Sequence, residues 1–254
     1  MSFIKKIGKK RIILFAIILI LFLTLFILSS TLPLNYISND GFDFMMLPDG
    51  TYRITGYSGN KTYLEIPKTV RGVEVTEIRQ FAFKNNTRIK TVVVHDNITE
   101  IGLGAFMGCT SIESLTVPFV GCTHDNNTRL AQIFSDRVGI STDTSTPVPK
   151  SLKRLYITKG CTKISDSAFS MCTGLNEVHI PSTVTRIEDG TGYISIGVNG
   201  HSPGSAETNL PFYGCSSNLK IYCASSKKPE GWGKYWSNTS FSHQATVIWS
   251  SKEY

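Results

Sequence analysis

Six cysteines and five histidines hold the most versatile chemistry in this 254-residue sequence, as metal ligands, nucleophiles or proton carriers. Their spacing supports little of it. Among Cys109, Cys122, Cys161, Cys172, Cys215 and Cys223, no Cys-x-x-Cys occurs; His95, His124, His179, His201 and His243 form no His-Glu-x-x-His. No metal, cofactor or catalytic residue is therefore assigned, although a triad that meets only in space stays open. A different chemistry is offered by Tyr156, His179 and Tyr222, each preceded two positions earlier by a charge, Arg154, Glu177 and Lys220. Rings with polar tips beside charges suit contacts with a protein or a sugar. Residues two apart share one face of a strand, so the elements that position these six must be strands laid side by side.

Such strands recur. Val92/Val94, Leu115/Val117, Leu155/Ile157 and Val178/Ile180 alternate with period two, and Pro67, Pro118 and Pro181 follow where a strand should stop. One more apolar residue follows (Val70, Ile98, Val184), then Ile78, Ile101, Ile164 or Ile187. Ala82-Phe83, Ala105-Phe106 and Ala168-Phe169 come next as a turn, with a worn copy at Phe212-Tyr213. Asn86 and Cys109 hold equivalent places 23 residues apart, within the range of solenoid repeats. A single unit cannot bury its apolar face, whereas stacked copies can.

This pattern closely resembles the BspA-like leucine-rich repeats of bacterial surface proteins, also found in some protozoa. The likeness covers about residues 42–250. It implies a mainly β, right-handed leucine-rich-repeat solenoid with one short parallel sheet of five or six strands. Gly41–Tyr57 resembles the β-hairpin that often opens such arrays, and Ile221–Trp249 a frequent closing segment. The expected layout is a stub plus membrane span over 1–39, an N-terminal β cap over 40–66, the array over 63–223 and a C-terminal cap over 224–254. Two stretches exceed the repeat, near 123–149 and 191–209. Both are rich in Gly, Ser, Thr, Asn and Pro and read as surface loops, either binding loops or decoration.

Within this frame Cys109, Cys172 and Cys215 share one repeat position and Cys223 is an inward strand residue, so all four read as small buried hydrophobes. Cys122 and Cys161 depart from the pattern in adjacent coils, one residue out of register, and form a candidate disulfide. The outward strand positions, in order, are Glu65, Val93, Thr116, Tyr156, His179 and Tyr222. Tyr156, His179 and Tyr222 should therefore cluster on the open sheet face, either as a ligand site or as a cover for the sheet. Asn60, Asn85, Asn97, Asn126 and Asn238 each open an Asn-x-Ser/Thr triplet, which bears on glycosylation only in a eukaryotic secretory pathway.

The net charge of +7 does not indicate a nucleic-acid partner. Five cations (Lys5, Lys6, Lys9, Lys10 and Arg11) sit together at the N-terminus, and without them 21 basic residues face 19 acidic ones. Ile12–Leu28 is apolar apart from Thr24, and no charge lies between Arg11 and Asp40. The run reads as a retained single transmembrane helix over 12–34 or as a cleaved signal peptide, with the cations on the cytoplasmic side. The expectation is a non-enzymatic cell-surface or secreted protein that binds an extracellular protein or glycan. A passive display module of the envelope and, more remotely, a hydrolase built on the insert loops are the alternatives.

Overall fold

The alternating apolar pairs form strands because each buries one face on a shared core while its edges find parallel neighbours. The computed structural model describes residues 14, 17–21, 36–124, 129–136, 147–189, 210–240 and 242–253. It divides into two compact units, Met1–Ile37 and Ser38–Tyr254. In the first, Ile17–Leu21 are helical and expose their apolar side chains. Among the described residues no helix is long and apolar enough to cross a membrane, and most of the expected span over 12–34 lies outside them.

The strands run β1 (Tyr36–Asn39), β2 (Phe42–Met46), β3 (Tyr52–Tyr57), β4 (Tyr63–Glu65) and β5 (Thr69–Val70). Then follow β6 (Val73–Ile78), β7 (Thr91–Val93), β8 (Glu100–Ile101), β9 (Ser114–Val117) and β10 (Arg154–Ile157). The last are β11 (Lys163–Ile164), β12 (Glu177–Ile180), β13 (Arg186–Ile187), β14 (Lys220–Cys223) and β15 (Thr246–Ile248). The second unit is a mainly β solenoid of about six turns with almost no helix among its described residues. β2 and β3 make the antiparallel hairpin at its head, and β6 continues parallel to β3.

One sheet runs the length of the solenoid in the order β15-β14-β12-β10-β9-β7-β4, every neighbour parallel. It has seven strands rather than the five or six expected, because β15, in the closing segment, joins the same ladder. Leu64, Val92, Leu115, Leu155, Val178 and Ile221 lie side by side in register and are fully buried. Ile78, Ile101, Ile164 and Ile187 are buried along a second line.

The far wall is a file of rings. Phe83 stacks on Phe106 at 4.9 Å, Phe106 meets Phe134 at 6.2 Å, and Phe169 stacks on Phe212 at 4.7 Å. Phe134 corrects the reading of 123–149 as a surface loop. Leu130–Phe134 is a wholly buried 3-10 turn, and its backbone joins both neighbours: Phe106 N–H donates to Ile133 O and Leu130 N–H to Ala168 O, both at 2.8 Å. Each strand needs a turn opposite it, and this segment supplies the turn for the coil that begins with β9. The stretch 191–209 lies outside the described residues.

Three of the far-side turns take left-handed backbone at two places, four residues apart. Phe81 and Asn85, Gly104 and Gly108, and Ser167 and Met171 all have φ between 54° and 75°. Glycine adopts this region freely, other residues at a cost. The glycines also make room: a Cβ on Gly108 would stand 2.2 Å from Asn85 Oδ1, and one on Gly214 2.3 Å from Met171 Sδ. A side chain in one coil thus lies across the glycine of the next.

Candidate functional site

In-register stacking brings the residues that the sequence singled out into one row. On the outward face Glu65, Val93, Thr116, Tyr156, His179, Tyr222 and Ile248 are consecutive partners across the seven strands. Beyond Thr116 the row carries three rings in succession before it ends at Ile248. His179 stacks between the two tyrosines, its ring centre 4.5 Å from each, with interplanar angles of 20° to Tyr156 and 5° to Tyr222. Strand spacing sets this: neighbouring strands lie about 4.8 Å apart, close to a stacking distance. Beside it, Arg154, Glu177 and Lys220 form a parallel register row of alternating charge. Both tyrosines are half-buried, Arg154 and Lys220 exposed.

His179 is 8% exposed, and Glu177 Oε2 lies 3.8 Å from its Nε2. Burial lowers its pKa below the usual histidine value, with Glu177 opposing. His95 is lowered likewise by burial; its Nδ1 accepts from Asn97 N–H and its Nε2 faces Pro67 O, each at 3.2 Å, an arrangement that fits the neutral ring. A histidine held neutral in the fold but free to protonate in the unfolded chain adds stability above about pH 6.5; that stability is lost as pH falls through the lowered folded value. The midpoint of urea unfolding is therefore expected to drop between pH 7.5 and pH 5 by more in the native chain than in a His95→Gln/His179→Gln variant. Equal drops would exclude these two groups as the cause.

The thiols are structural. Cys109 Sγ–H donates to Phe83 O at 3.0 Å and Cys215 Sγ–H to Phe169 O at 3.1 Å, in each case one coil back. Burial pushes their pKa values up to about 11 and about 12, raises that of Cys172 as well, and takes Cys223 to about 12. The candidate bridge between Cys122 and Cys161 is not formed, for both are free thiols. Cys161 turns its S–H to Lys163 O at 3.2 Å, and burial raises both groups to about 11. Among the described residues no group of three or more His, Cys, Asp or Glu side chains could hold a metal. One hydrolase-type signature occurs in the sequence, Gly200-His201-Ser202-Pro203-Gly204, outside the described residues. A Gly-x-Ser-x-Gly segment acts as a nucleophile elbow only at a strand-to-helix turn.

A second concavity was not signalled by any motif. Between the tail of β3 and the first far-side turn lies an open cleft of about 420 Å³, lined by Tyr57, Ser58 and Asn60 on one wall and Lys84, Asn85 and Arg88 on the other.

A parallel sheet closed by a file of far-side turns, with one residue pattern per coil, defines a leucine-rich-repeat solenoid. Within that class, the profile of the BspA type Leucine rich repeat region matches residues 36–129 and 148–194 in six copies, more than half of the chain. The chain belongs to that family. Solved structures similar to it include a leucine-rich repeat protein of Treponema pallidum, at 19% identity over 80% of this chain and 88% of that one, with a TM-score of 0.43. Another, from Bacteroides capillosus, is 23% identical over 61% of this chain and 88% of its own, at TM-score 0.34. A leucine rich cell surface protein of Faecalibacterium prausnitzii is 19% identical over 85% of this chain, at TM-score 0.38; the chain spans 55% of its length. No curated protein matches the sequence.

Proposed function

We propose that this chain is an exported recognition module, held at the cell surface by residues 12–34, that binds an extracellular protein or glycan through the C-terminal half of its outer sheet face. The observation that carries the reading is the stacked Tyr156–His179–Tyr222 ladder beside the Arg154–Glu177–Lys220 row. Such a row is rigid before any ligand arrives, because rings locked on a sheet lose little entropy on binding. The middle of the sheet face carries Thr91, Val93, Ser114 and Thr116, and its first strand Tyr63 and Glu65, so the three rings stacked in register are confined to the C-terminal half. Attachment is supported by the uncharged run after five cations, and by the exposed apolar side chains of the helical residues Ile17–Leu21.

The competing reading is a passive display module. It draws on the same geometry: the rings satisfy one another and the charges alternate in sign, as a sheet cover would. The two separate on a binding screen of the full chain in detergent micelles against matrix proteins, mucins and a glycan array. The triple variant Tyr156→Ala/His179→Ala/Tyr222→Ala is expected to weaken a saturable hit at least about 10-fold. Tyr156→Phe/Tyr222→Phe keeps the stack while removing both hydroxyls, and so guards against a fold defect. Binding that survives the triple variant would remove the ladder as the site, and no hit across the panel would favour the display module.

A further inference from the structure

We propose that the cleft between the N-terminal hairpin and the first coil binds an acidic saccharide, a polyol ring bearing a carboxylate or sulfate. The cleft exists because the first coil stacks on the capping hairpin and not on an earlier coil of the same shape. In two later coils the cysteine after the far-side turn, Cys109 and Cys215, donates its S–H to the phenylalanine carbonyl one coil back. At the first coil that carbonyl has no counterpart, and the position holds Asn86 instead. Its Oδ1 accepts from the N–H groups of Arg88 and Ile89, at 3.0 and 3.3 Å, which fixes the 84–88 loop as a wall of its own.

The opposite wall is equally set. The Tyr57 ring wedges against Phe42 at 4.7 Å and Phe83 at 5.8 Å, and its hydroxyl accepts from Lys61 N–H at 3.4 Å. Gly59 passes so close that a Cβ there would stand 2.3 Å from that hydroxyl. Two walls fixed independently leave the cleft of about 420 Å³. That volume lies within the roughly 300–1,000 Å³ of small-molecule sites. It is too confined for a protein interface, which takes about 800 Å² from each partner.

Its chemistry narrows the ligand. The lining carries two cations, Lys84 and Arg88, and no carboxylate; nearby, Lys61 is paired with Asp40. The Lys84 ammonium also lies 4.7 Å from the Phe81 ring centre, which holds it in place. The remaining side chains are hydroxyls and carboxamides, chiefly Ser58, Asn60 and Thr87, which both donate and accept as sugar hydroxyls do. Arg88 presents the planar fork that matches a carboxylate or sulfate. A nucleotide would need an apolar slot for its base, and the one ring here is already wedged into the cap. This site stands apart from the sheet-face ladder and does not depend on it.

The test titrates the full chain with a uronate trisaccharide, a sulfated disaccharide, matched neutral oligosaccharides and inorganic sulfate, using calorimetry and amide shift mapping. Saturable binding of an acidic sugar, roughly 10-fold or more tighter than its neutral counterpart, is expected, with shifts at Gly59, Asn85 and Arg88. Lys84→Gln/Arg88→Gln should weaken it about 10-fold with unfolding temperature unchanged, since both side chains are exposed. The Tyr156→Ala/His179→Ala/Tyr222→Ala variant should bind the sugar as the native chain does. The proposal is overturned if neutral and acidic sugars bind alike, or if sulfate alone binds as tightly as the acidic sugars. It is equally overturned if the double variant leaves affinity unchanged, or if the shifts fall elsewhere.

Discussion

Phe106→Ala is expected to lower the free energy of unfolding by about 3–5 kcal/mol and the unfolding temperature by roughly 6–20 °C. The ring is fully buried and stacks on Phe83 at 4.9 Å with planes only 4° apart, while its other side meets Phe134 at 6.2 Å. In a solenoid each coil touches only its neighbours, so a central ring contributes to two interfaces at once. The coils on both sides are fixed by backbone bonds, Phe83 N–H to Ala105 O and Phe106 N–H to Ile133 O, which resist collapse into the vacated space. A cavity that cannot relax costs more than the transfer of the ring alone. Urea unfolding followed by circular dichroism reads the loss. A change below about 1 kcal/mol would mean that the far-side file is not a continuous core.

Most of the sheet was legible because parallel, in-register stacking converts sequence equivalence into spatial contact. Once Leu155, Val178 and Ile221 are aligned as inward residues, Tyr156, His179 and Tyr222 must be neighbours, and they are, at 4.5 Å. The seventh strand was missed since Val247 and Ile248 lie among three tryptophans, after Trp232 and Trp236 and before Trp249, and two of the usual repeat landmarks, the Ala-Phe pair and the strand-ending proline, are lacking there. Leu130–Phe134 was missed for a related reason. Its apolar spacing, Leu130, Ile133, Phe134, was visible, but it sits inside a polar stretch that composition alone assigns to a loop. Backbone handedness was half visible: Gly104, Gly108 and Gly214 announce left-handed turns, whereas Phe81, Ser167 and Met171 adopt the same φ with nothing in their type to signal it. The cleft was out of reach, since its walls are some 25 residues apart and meet only when the hairpin closes over the first coil. Even so, Asn86 standing where later coils carry cysteine was a readable departure.

Trp232→Ala is expected to cost about as much as Phe106→Ala, roughly 3–5 kcal/mol, but to act from the end of the solenoid rather than its middle. Trp232 is 2% exposed and packs edge-on to Trp236 at 4.5 Å and against Trp249 at 5.8 Å. Its Nε1–H donates to Val184 O at 3.0 Å, so about 1–3 kcal/mol of that total comes from a buried carbonyl left without its donor. Trp232→Phe keeps a ring while removing the hydrogen bond and part of the indole's volume, so it should cost less than Trp232→Ala. The location of the damage is the sharper prediction. Array ends fray first when a cap is weakened, so hydrogen exchange should quicken at Lys220, Ala245 and Thr246, whose amides bond within the last coils, before it changes at Val94 or Ser114. Uniform loss of protection along the sheet would instead mean that the chain unfolds as one unit and that these tryptophans are ordinary core. Fraying confined to β14 and β15 bears on the proposed function: Tyr222, the outer ring of the ladder, is held on β14, so Trp232→Ala should weaken the sheet-face binding proposed above without touching any residue of the ladder.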